Sequence, residues 1–308
     1  MTSGDHPVLC LVGATAVGKT EVAVALARAL GGEVICCDAL TVYRGLSILT
    51  AKPSPPADVP HHLLDVADAW EHYDAARFAA DADRLVEEIR GRGREPIVAG
   101  GTALYLKAWT KGLGPRVGRD TALRAELEAL VAARGPEALV ARLAARDAVR
   151  AGEIHGNDVR RLVRAIEIAE TAGRAPSALR NEWNAPDRVA VRVAGLRRAP
   201  EDLARRIDAR ARSMFREGLA EEVARLDAGP RPPSRELEQA IGLREVREHL
   251  AGRLPLEDAV ERIARATRRF ARRQATFFRQ FRDAAWIDVP PDEPPDATAR
   301  RVLGALQR

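Results

Sequence analysis

The feature that most constrains the fold is an octapeptide, residues 13–20, that lies between two apolar segments. It reads G-A-T-A-V-G-K-T and fits the phosphate-loop pattern G-x-x-x-x-G-K-[ST]. The apolar run before it, residues 8–12, predicts a buried parallel strand, and the spacing of apolar residues over 18–30 predicts a helix after it. This context predicts a parallel α/β sheet with a phosphate-binding loop at its carboxyl edge.

Each residue type in this loop suits the binding of phosphate. Glycines let backbone N–H groups point at a polyphosphate, and the start of the following helix adds partial positive charge. Lys19 supplies a mobile point charge, and the hydroxyl of Thr20 can hold Mg²⁺, which we predict as the cofactor. The predicted phosphate-binding residues are Gly13, Ala14, Thr15, Ala16, Val17, Gly18, Lys19 and Thr20. The motif does not indicate which phosphorylated compound binds.

Two other predicted strands end in residues that could take part in chemistry. Asp38 follows the strand predicted over 33–37, and Gly100-Gly101-Thr102 follows the strand predicted over 96–99. The carboxyl ends of parallel strands meet at one edge, so both ends should lie near the loop. The carboxylate of Asp38 could ligate Mg²⁺, act as a general base or cap a turn. Thr102 either caps the next helix only or also faces the bound phosphates.

The charge is strongly biased towards arginine. The 308 residues hold 49 Lys plus Arg against 44 Asp plus Glu, for a net charge of +5. The segment 262–282 contains eight arginines and no acidic residue. Such a segment is often only a solvated helix face, but eight uncompensated charges favour a polyanionic partner such as a nucleic acid. Arg160, Arg161 and Arg164 form a smaller cluster, and Arg206 and Arg210 lie four residues apart.

The chain is predicted to be an α/β protein, a P-loop NTPase-like parallel sheet core with a helical insertion domain. Residues 1–119 would form the first part of the core, 120–185 the insertion, and 186–308 the second part with basic C-terminal helices. Val189, Val191 and Val193 alternate like a strand that returns to the sheet. We assign His61 and His62 to a loop. No apolar run approaches the roughly 18 residues of a membrane span, so we expect a cytoplasmic protein.

These residues together resemble the bacterial tRNA dimethylallyltransferases, also called tRNA isopentenyltransferases. Their loop is G-P-T-A-S-G-K-T, and the further segments of this chain that match family motifs, in order, are 38–46, 50–53, 61–65, 100–108, 157–167 and 267–279. This chain departs from the family at Val17, which replaces Ser, and at Ala39 and Thr41, which replace Ser and Gln. Phe277 replaces a Trp.

The resemblance implies an activity and a role for particular residues. The family moves a dimethylallyl group from its diphosphate to the exocyclic amine of the adenosine 3′-adjacent to the anticodon of tRNA. By analogy Asp38 is the general base, Lys19 and Thr102 complete the catalytic set, and Arg210 is a second diphosphate contact. The implied tRNA-binding residues are Asp38, Ala39, Leu40, Thr41, Thr102, Arg124, Arg160, Arg161, Arg164, Arg269 and Arg273. The implied partners are the anticodon stem–loop and dimethylallyl diphosphate, with no membrane, and we expect a monomer.

Other classes share parts of this pattern. A phosphate-loop kinase of small molecules would have Lys19, Thr20 and an acidic strand end, but it would not need the arginine-rich helix. An isopentenyltransferase acting on a free adenine nucleotide would share the loop and Asp38 but would lack the basic motif of the insertion. A non-catalytic RNA-binding protein gated by a nucleotide is the third alternative.

Overall fold

The computed structural model describes residues 6–54, 56–112, 120–171, 175–179 and 187–307. The strands are β1 (Val8–Gly13), β2 (Gly32–Cys37), β3 (His61–His62), β4 (Glu95–Gly100), β5 (Val191–Arg197) and β6 (Ala285–Asp288). The helices before the insertion are α1 (Lys19–Leu30), α2 (Ala75–Gly91) and α3 (Ala103–Lys111). Those within it are α4 (Thr121–Arg134), α5 (Glu137–Ala144), α6 (Ala148–Glu153), α7 (Val159–Thr171) and α8 (Pro176–Leu179). Those after it are α9 (Pro200–Arg216), α10 (Leu219–Asp227), α11 (Arg235–Glu238), α12 (Leu243–Leu250), α13 (Leu256–Phe278) and α14 (Pro295–Leu306).

The strands form one sheet in the order β3-β2-β4-β1-β5-β6, and every neighbouring pair is parallel. Every residue of β1 and β2 is buried, which explains why β1 is continuously apolar and why β2 does not alternate and is apolar after Glu33. In the register of the sheet, Gly100 lies opposite both Val12 and Cys37. The segments after β1, β2 and β4 therefore begin at one edge of the sheet.

Helices cover both faces of the sheet. Leu9 and Leu11 of β1 pack on one side in a cluster that includes Leu26 of α1 and Val302 of α14. The alternate residues of β1 pack on the other side, in a cluster with members from α2, α3, α9 and α13. A fully buried Leu or Phe contributes about 1.5–3 kcal/mol to folding. The loop at the end of β1 is thus supported by cores on both sides.

The chain divides into two compact units, Met1–Thr110 with Val189–Arg308, and Lys111–Arg188. The backbone N–H of Val189 donates to the carbonyl of Thr110 at 3.4 Å, which joins the two ends of the first unit where the second is inserted. The second unit contains helices in its described residues and has its own core, which includes Leu127, Leu139 and Leu162. In the described part of the chain, no helix is long and apolar enough to span a bilayer.

Three elements differ from the sequence-based expectation. The assignment of His61 and His62 to a loop is wrong, because the pair forms the edge strand β3 beside β2. There His62 Nε2 lies 2.6 Å from the carboxylate of Glu33. Strand β5 begins at Val191 and buries residues 193–196 in succession, since both of its faces are covered. Strand β6 was not predicted.

Candidate active site

The phosphate loop joins β1 to α1 and takes two left-handed backbone conformations. Gly18, which precedes α1, has φ 102°, a value that glycine adopts without a steric penalty. Ala16 has φ 64°, which costs a non-glycine residue about 1–3 kcal/mol and persists only where neighbours hold it. Arg206 of α9 supplies such a contact, because its Nε donates to the carbonyl of Ala16 at 2.8 Å.

Two more side chains from distant parts of the sequence hold the same loop. Arg198 Nε donates to the carbonyl of Val17 at 2.9 Å, and the Val17 side chain packs into the core on the α1 side. Gln274 of α13 accepts from the Thr15 N–H at 2.8 Å. The N–H of Thr15 therefore already has a protein acceptor, and the binding of a phosphate by Thr15 stays a prediction.

Lys19 and Arg210 bring two poorly solvated cations to the loop. Lys19 Nζ donates to the carbonyls of Gly13 and Ala14, at 3.0 and 2.8 Å. Burial lowers the pKa of Lys19 to about 8, against the opposing attraction of Asp38. Burial also lowers the pKa of Arg210, with the nearby charge of Arg206 acting in the same direction. Within the described residues Arg210 has no ion pair, so these cations favour a bound anion.

Asp38 lies directly after β2 and forms a turn with its own backbone. Its Oδ1 accepts from the N–H groups of Leu40 at 2.9 Å and Thr41 at 3.4 Å. Burial raises the pKa of Asp38 above its usual value, although these N–H bonds and the charge of Lys19 oppose the shift. A carboxylate with a raised pKa is a stronger base than an exposed aspartate, and its turn fixes the direction of the side chain.

Thr102 connects the end of β4 to the segment that carries Asp38. Its Oγ1 accepts from the Ala39 N–H at 3.0 Å, and its own N–H donates to the carbonyl of Cys37 at 3.2 Å. The backbone amides of Ala39 and Leu40 are therefore used within the protein. The hydroxyl of Thr41 is different, since the residue is 5% exposed and its Oγ1 has no partner among the described residues.

One cavity of about 130 Å³ gathers most of these residues. Its lining residues include Thr15, Ala16, Gly18, Lys19, Thr20, Asp38, Thr41, Gly100, Gly101 and Arg210. A wider cleft of about 840 Å³ shares Thr20 and Arg210 with it. The structure thus brings the predicted loop, the predicted base and the predicted second cation to one place. A buried carboxylate and two cations around one cavity can bind an anionic group and accept a proton beside it.

The residues at the loop fit a magnesium ion that is held mainly by substrate. Thr20 is exposed, and its hydroxyl has no hydrogen-bond partner in the described ranges. The described residues include no group of three or more His, Cys, Asp and Glu side chains that could hold a metal by themselves. Mg²⁺ commonly binds through one or two protein oxygens, several waters and substrate phosphates, so the donor set of Thr20 with a diphosphate is suitable.

The charge of the basic segment is smaller than the sequence suggested. Arg262, Arg265 and Arg268 pair with carboxylates outside 262–282, on Glu248, Glu261 and Asp208. The prediction of eight uncompensated arginines is therefore wrong for these three. No carboxylate partner is found, within the described ranges, for the exposed residues Arg269, Arg272, Arg273, Arg279 and Arg282. Arg273 also lies over the ring of Phe270, 5.9 Å from its centroid.

In the insertion, two of the predicted tRNA contacts surround a buried carboxylate. Arg124 binds Glu167 through two bonds of 2.7 and 2.8 Å, and Arg164 binds the same group. Burial alone would raise the pKa of Glu167, but these arginines lower it to about 2. Arg161 is more accessible, since 74% of its side chain is exposed, although its Nε lies 3.4 Å from a carboxylate oxygen of Asp158. The tRNA contact of Arg124 stays a prediction, but its guanidinium already has a structural partner.

We expect Glu167→Gln to destabilise the insertion. The carboxylate is fully buried and bound by two arginines, and removing one partner of a buried ion pair typically costs about 3–5 kcal/mol. Denaturant unfolding, followed by protease cleavage within 120–171, would measure the loss. Glu126→Gln is the matched control, because its side chain is 61% exposed and exposed pairs contribute below about 1 kcal/mol. Equal, small losses for both variants would contradict a structural role for Glu167.

The pKa of Lys19 predicts how pyrophosphate binding depends on pH. When the pH is below the Lys19 pKa of about 8, Lys19 already carries its ammonium ion in the free protein. When the pH is above it, Lys19 must take up a proton as pyrophosphate binds. The affinity for inorganic pyrophosphate should therefore weaken as pH rises through 8, by up to about tenfold per pH unit. Calorimetry in buffers of different ionisation enthalpy would detect the proton uptake. The Lys19→Met variant is the control, because its pH dependence reports only the titration of pyrophosphate itself. An identical pH dependence in the wild type and in this variant would contradict the prediction.

The fold and the site define a phosphate-loop α/β protein with a basic C-terminal helix and an acidic residue beside the loop. The model of the IPP transferase family matches residues 41–281, and a model described as isopentenyl transferase matches residues 6–58. The chain belongs to the IPP transferase family and is a transferase.

Similar proteins span almost the whole chain. A tRNA dimethylallyltransferase of Anaeromyxobacter dehalogenans is 48% identical over 297 residues, covering 95% of this chain and 97% of that protein. The crystal structure of a tRNA isopentenylpyrophosphate transferase from Bacillus halodurans has a TM-score of 0.69 and 36% identity, covering 98% of this chain and 97% of the other. A eukaryotic dimethylallyltransferase acting on tRNA has a TM-score of 0.76 and 28% identity, covering 92% and 74%.

Sequence reasoning missed three residues that hold the site. Arg206 was noted only as a basic residue four positions before Arg210, and Arg198 carried no signal at all. Gln274 lies inside the segment that resembles a family motif and matches that motif, but no role was assigned to it from the sequence. An uncharged amide within a run of arginines is the signal that could have identified Gln274.

Proposed function

We propose that this chain transfers a dimethylallyl group from dimethylallyl diphosphate to the exocyclic amine of the adenosine 3′-adjacent to the anticodon in tRNA. The observation that carries the proposal is the placement of Lys19, Arg210 and Asp38 around one cavity. The cations suit a diphosphate leaving group, and the buried carboxylate suits an amine that must lose a proton. The names of the similar proteins support the same reaction.

The phosphate loop promotes departure of the diphosphate. As the bond between the allylic carbon and the bridging oxygen breaks, negative charge grows on that oxygen and positive charge on the allyl carbons. Lys19, Arg210 and the remaining loop N–H groups stabilise the departing anion because they are already oriented and poorly solvated. The product of this half of the reaction is inorganic pyrophosphate.

Activation of the acceptor is the task of the segment after β2. The exocyclic nitrogen forms its bond to the allylic carbon, and its proton passes to the carboxylate of Asp38. Thr102 holds this segment through Ala39. The hydroxyl of Thr41, which has no partner among the described residues, is available to the adenine in the cavity. The target base must leave its stack to reach them. Thr41 is shorter than the family's Gln, so we propose a weaker contact with the adenine.

Magnesium, when bound, would neutralise charge on the leaving diphosphate. The hydroxyl of Thr20 would hold it together with phosphate oxygens. We infer that metal binding depends on the presence of the diphosphate, because the described residues offer no carboxylate cluster for the ion.

Each unit of the chain offers arginines to the RNA backbone. In the first unit these are the arginines of α13 that have no carboxylate partner among the described residues, Arg269 and Arg273 among them. In the second unit Arg160 and Arg161 lie on the exposed face of α7, beside Arg164. Contacts with phosphates release counterions, so the affinity for tRNA should fall steeply with salt. We also propose that the protein is cytoplasmic, since its three cysteines are buried and form no disulfide within the described residues. We further propose that it is a monomer.

A transfer assay separates this function from its alternatives. Radiolabelled dimethylallyl diphosphate and unmodified tRNA are incubated with the protein, and the label is counted on filter-bound tRNA. Label on tRNA, with the modified adenosine identified by mass spectrometry of nucleosides, supports the proposal. Label on free adenosine monophosphate alone indicates an enzyme acting on the nucleotide, and consumption of ATP without transfer indicates a kinase. Binding of tRNA without any turnover indicates a non-catalytic protein.

A further inference from the structure

The basic helix α13 carries one polar side chain that is directed into the site and away from solvent. Gln274 is only 5% exposed, although its neighbours Arg272 and Arg273 are exposed. Both ends of its amide are used. The oxygen Oε1 accepts from the Thr15 N–H at 2.8 Å, and the nitrogen Nε2 donates to the carbonyl of Gly101 at 2.9 Å. One side chain therefore joins α13 to two separate loops.

The two loops that Gln274 joins carry opposite halves of the site. Thr15 belongs to the phosphate loop after β1, whereas Gly101 lies after β4 and directly precedes Thr102. Thr102 in turn binds the N–H of Ala39, next to Asp38. A chain of hydrogen bonds thus runs from the phosphate loop through Gln274 to the segment of the carboxylate.

The backbone at Gly101 leaves room for the amide of Gln274. A Cβ atom added at Gly101 would lie 2.5 Å from Gln274 Nε2, so a larger residue there would displace the amide. The amide also removes the Thr15 N–H from the donors available to a ligand. Gln274 therefore both spaces the two loops and selects which N–H groups of the phosphate loop remain free.

We propose that Gln274 is a positioning residue that sets the distance between the diphosphate and the acceptor amine. This inference rests on the proposed function, because it requires a leaving group on one loop and a base beside the other. Gln274 touches neither substrate in this account. Misplacement of reacting groups by about 1 Å can cost about 10²-fold in rate. Loss of Gln274 should therefore lower the rate of the transfer step and leave substrate binding largely unchanged.

Two substitutions test the role, Gln274→Met and Gln274→Glu. Methionine keeps the length of the side chain but can neither accept from Thr15 nor donate to Gly101. We expect its single-turnover rate with saturating substrates to fall about 10²-fold, with KM for tRNA within about twofold of wild type. Glutamate keeps the acceptor but lacks the donor unless it is protonated. Its rate relative to wild type should rise at least about tenfold as pH falls from 8.5 to 5.5, since burial favours the neutral acid.

The controls separate positioning from folding and from failure of the proposed reaction. Gln280→Met makes the same change at an exposed glutamine and should leave the rate within about twofold. Thermal unfolding and tRNA filter binding verify that each variant is folded. Variants that match wild type at all pH values, or a loss in Gln274→Glu that shows no recovery at low pH, would overturn the inference. Absence of transfer by the wild-type protein would instead refute the proposed function.

Discussion

Asp38→Asn is expected to lose about 10²- to 10⁴-fold in the rate of transfer at saturating tRNA, because the variant lacks the general base. Asparagine is nearly isosteric with aspartate. Its side-chain oxygen can still accept from the N–H groups of Leu40 and Thr41, so the turn after β2 should persist. Single-turnover transfer of radiolabel to tRNA measures the rate, and filter binding measures the affinity.

The stability of this variant provides an independent check of the direction in which the pKa of Asp38 is shifted. Burial raises the pKa of Asp38, so the folded state binds its proton more tightly than the unfolded state does. The charged carboxylate therefore costs stability at neutral pH, and the Tm of Asp38→Asn at pH 7 should equal or exceed that of wild type. Asp288→Asn is the matched control, since its side chain is 76% exposed, and its activity should not change. Near-normal transfer by Asp38→Asn would exclude Asp38 as the base.

Lys19→Met should reduce kcat/KM for dimethylallyl diphosphate about 10²- to 10³-fold, the loss typical of removing one donor to a developing anion. Methionine fills similar space but leaves the carbonyls of Gly13 and Ala14 without their donor and the diphosphate without its ammonium ion. Measurement of initial rates over a range of diphosphate concentrations gives the change directly. Pyrophosphate affinity from calorimetry should fall as well.

Lys19→Arg should fail to restore activity, although it keeps the charge. The guanidinium is a planar fork, whereas the structure places a compact ammonium between two carbonyl oxygens about 3 Å away. Lys111→Met is the control, because Lys111 pairs with Asp187 in the insertion and not with the loop. Full activity in Lys19→Arg would show that the loop needs only a positive charge, and not this particular geometry.

Local sequence was enough to predict the elements that carry the loop. The apolar run of β1, the spacing of α1 and the octapeptide between them are adjacent in the chain, and each depends on interactions over a few residues. Asp38 and Thr102 could also be assigned to the correct edge, because parallel strands end on the same side of a sheet. Family resemblance then added Arg210, which the structure places in the same cavity.

Short and edge elements were less predictable. The strand β3 has two residues and β6 has four, so neither is long enough to show a periodic pattern. Strand β5 was predicted from alternating valines, but its buried stretch is continuous, since helices cover both faces of the sheet. Pairing with a neighbour decides the conformation of such segments, and that neighbour is far away in sequence.

The sequence by itself determined that this protein has a phosphate loop after a buried strand, a carboxylate after the next strand and an excess of arginine near its C-terminus. Only the tertiary structure decided which arginines of the chain pair with a carboxylate. Arg268 pairs with Asp208 and Arg124 with Glu167, whereas Arg210 faces the cavity without an ion pair in the described residues. It also brought Gln274 to Thr15, 259 residues away. Charge pairing and buried hydrogen bonds depend on distance in space, which local patterns do not encode.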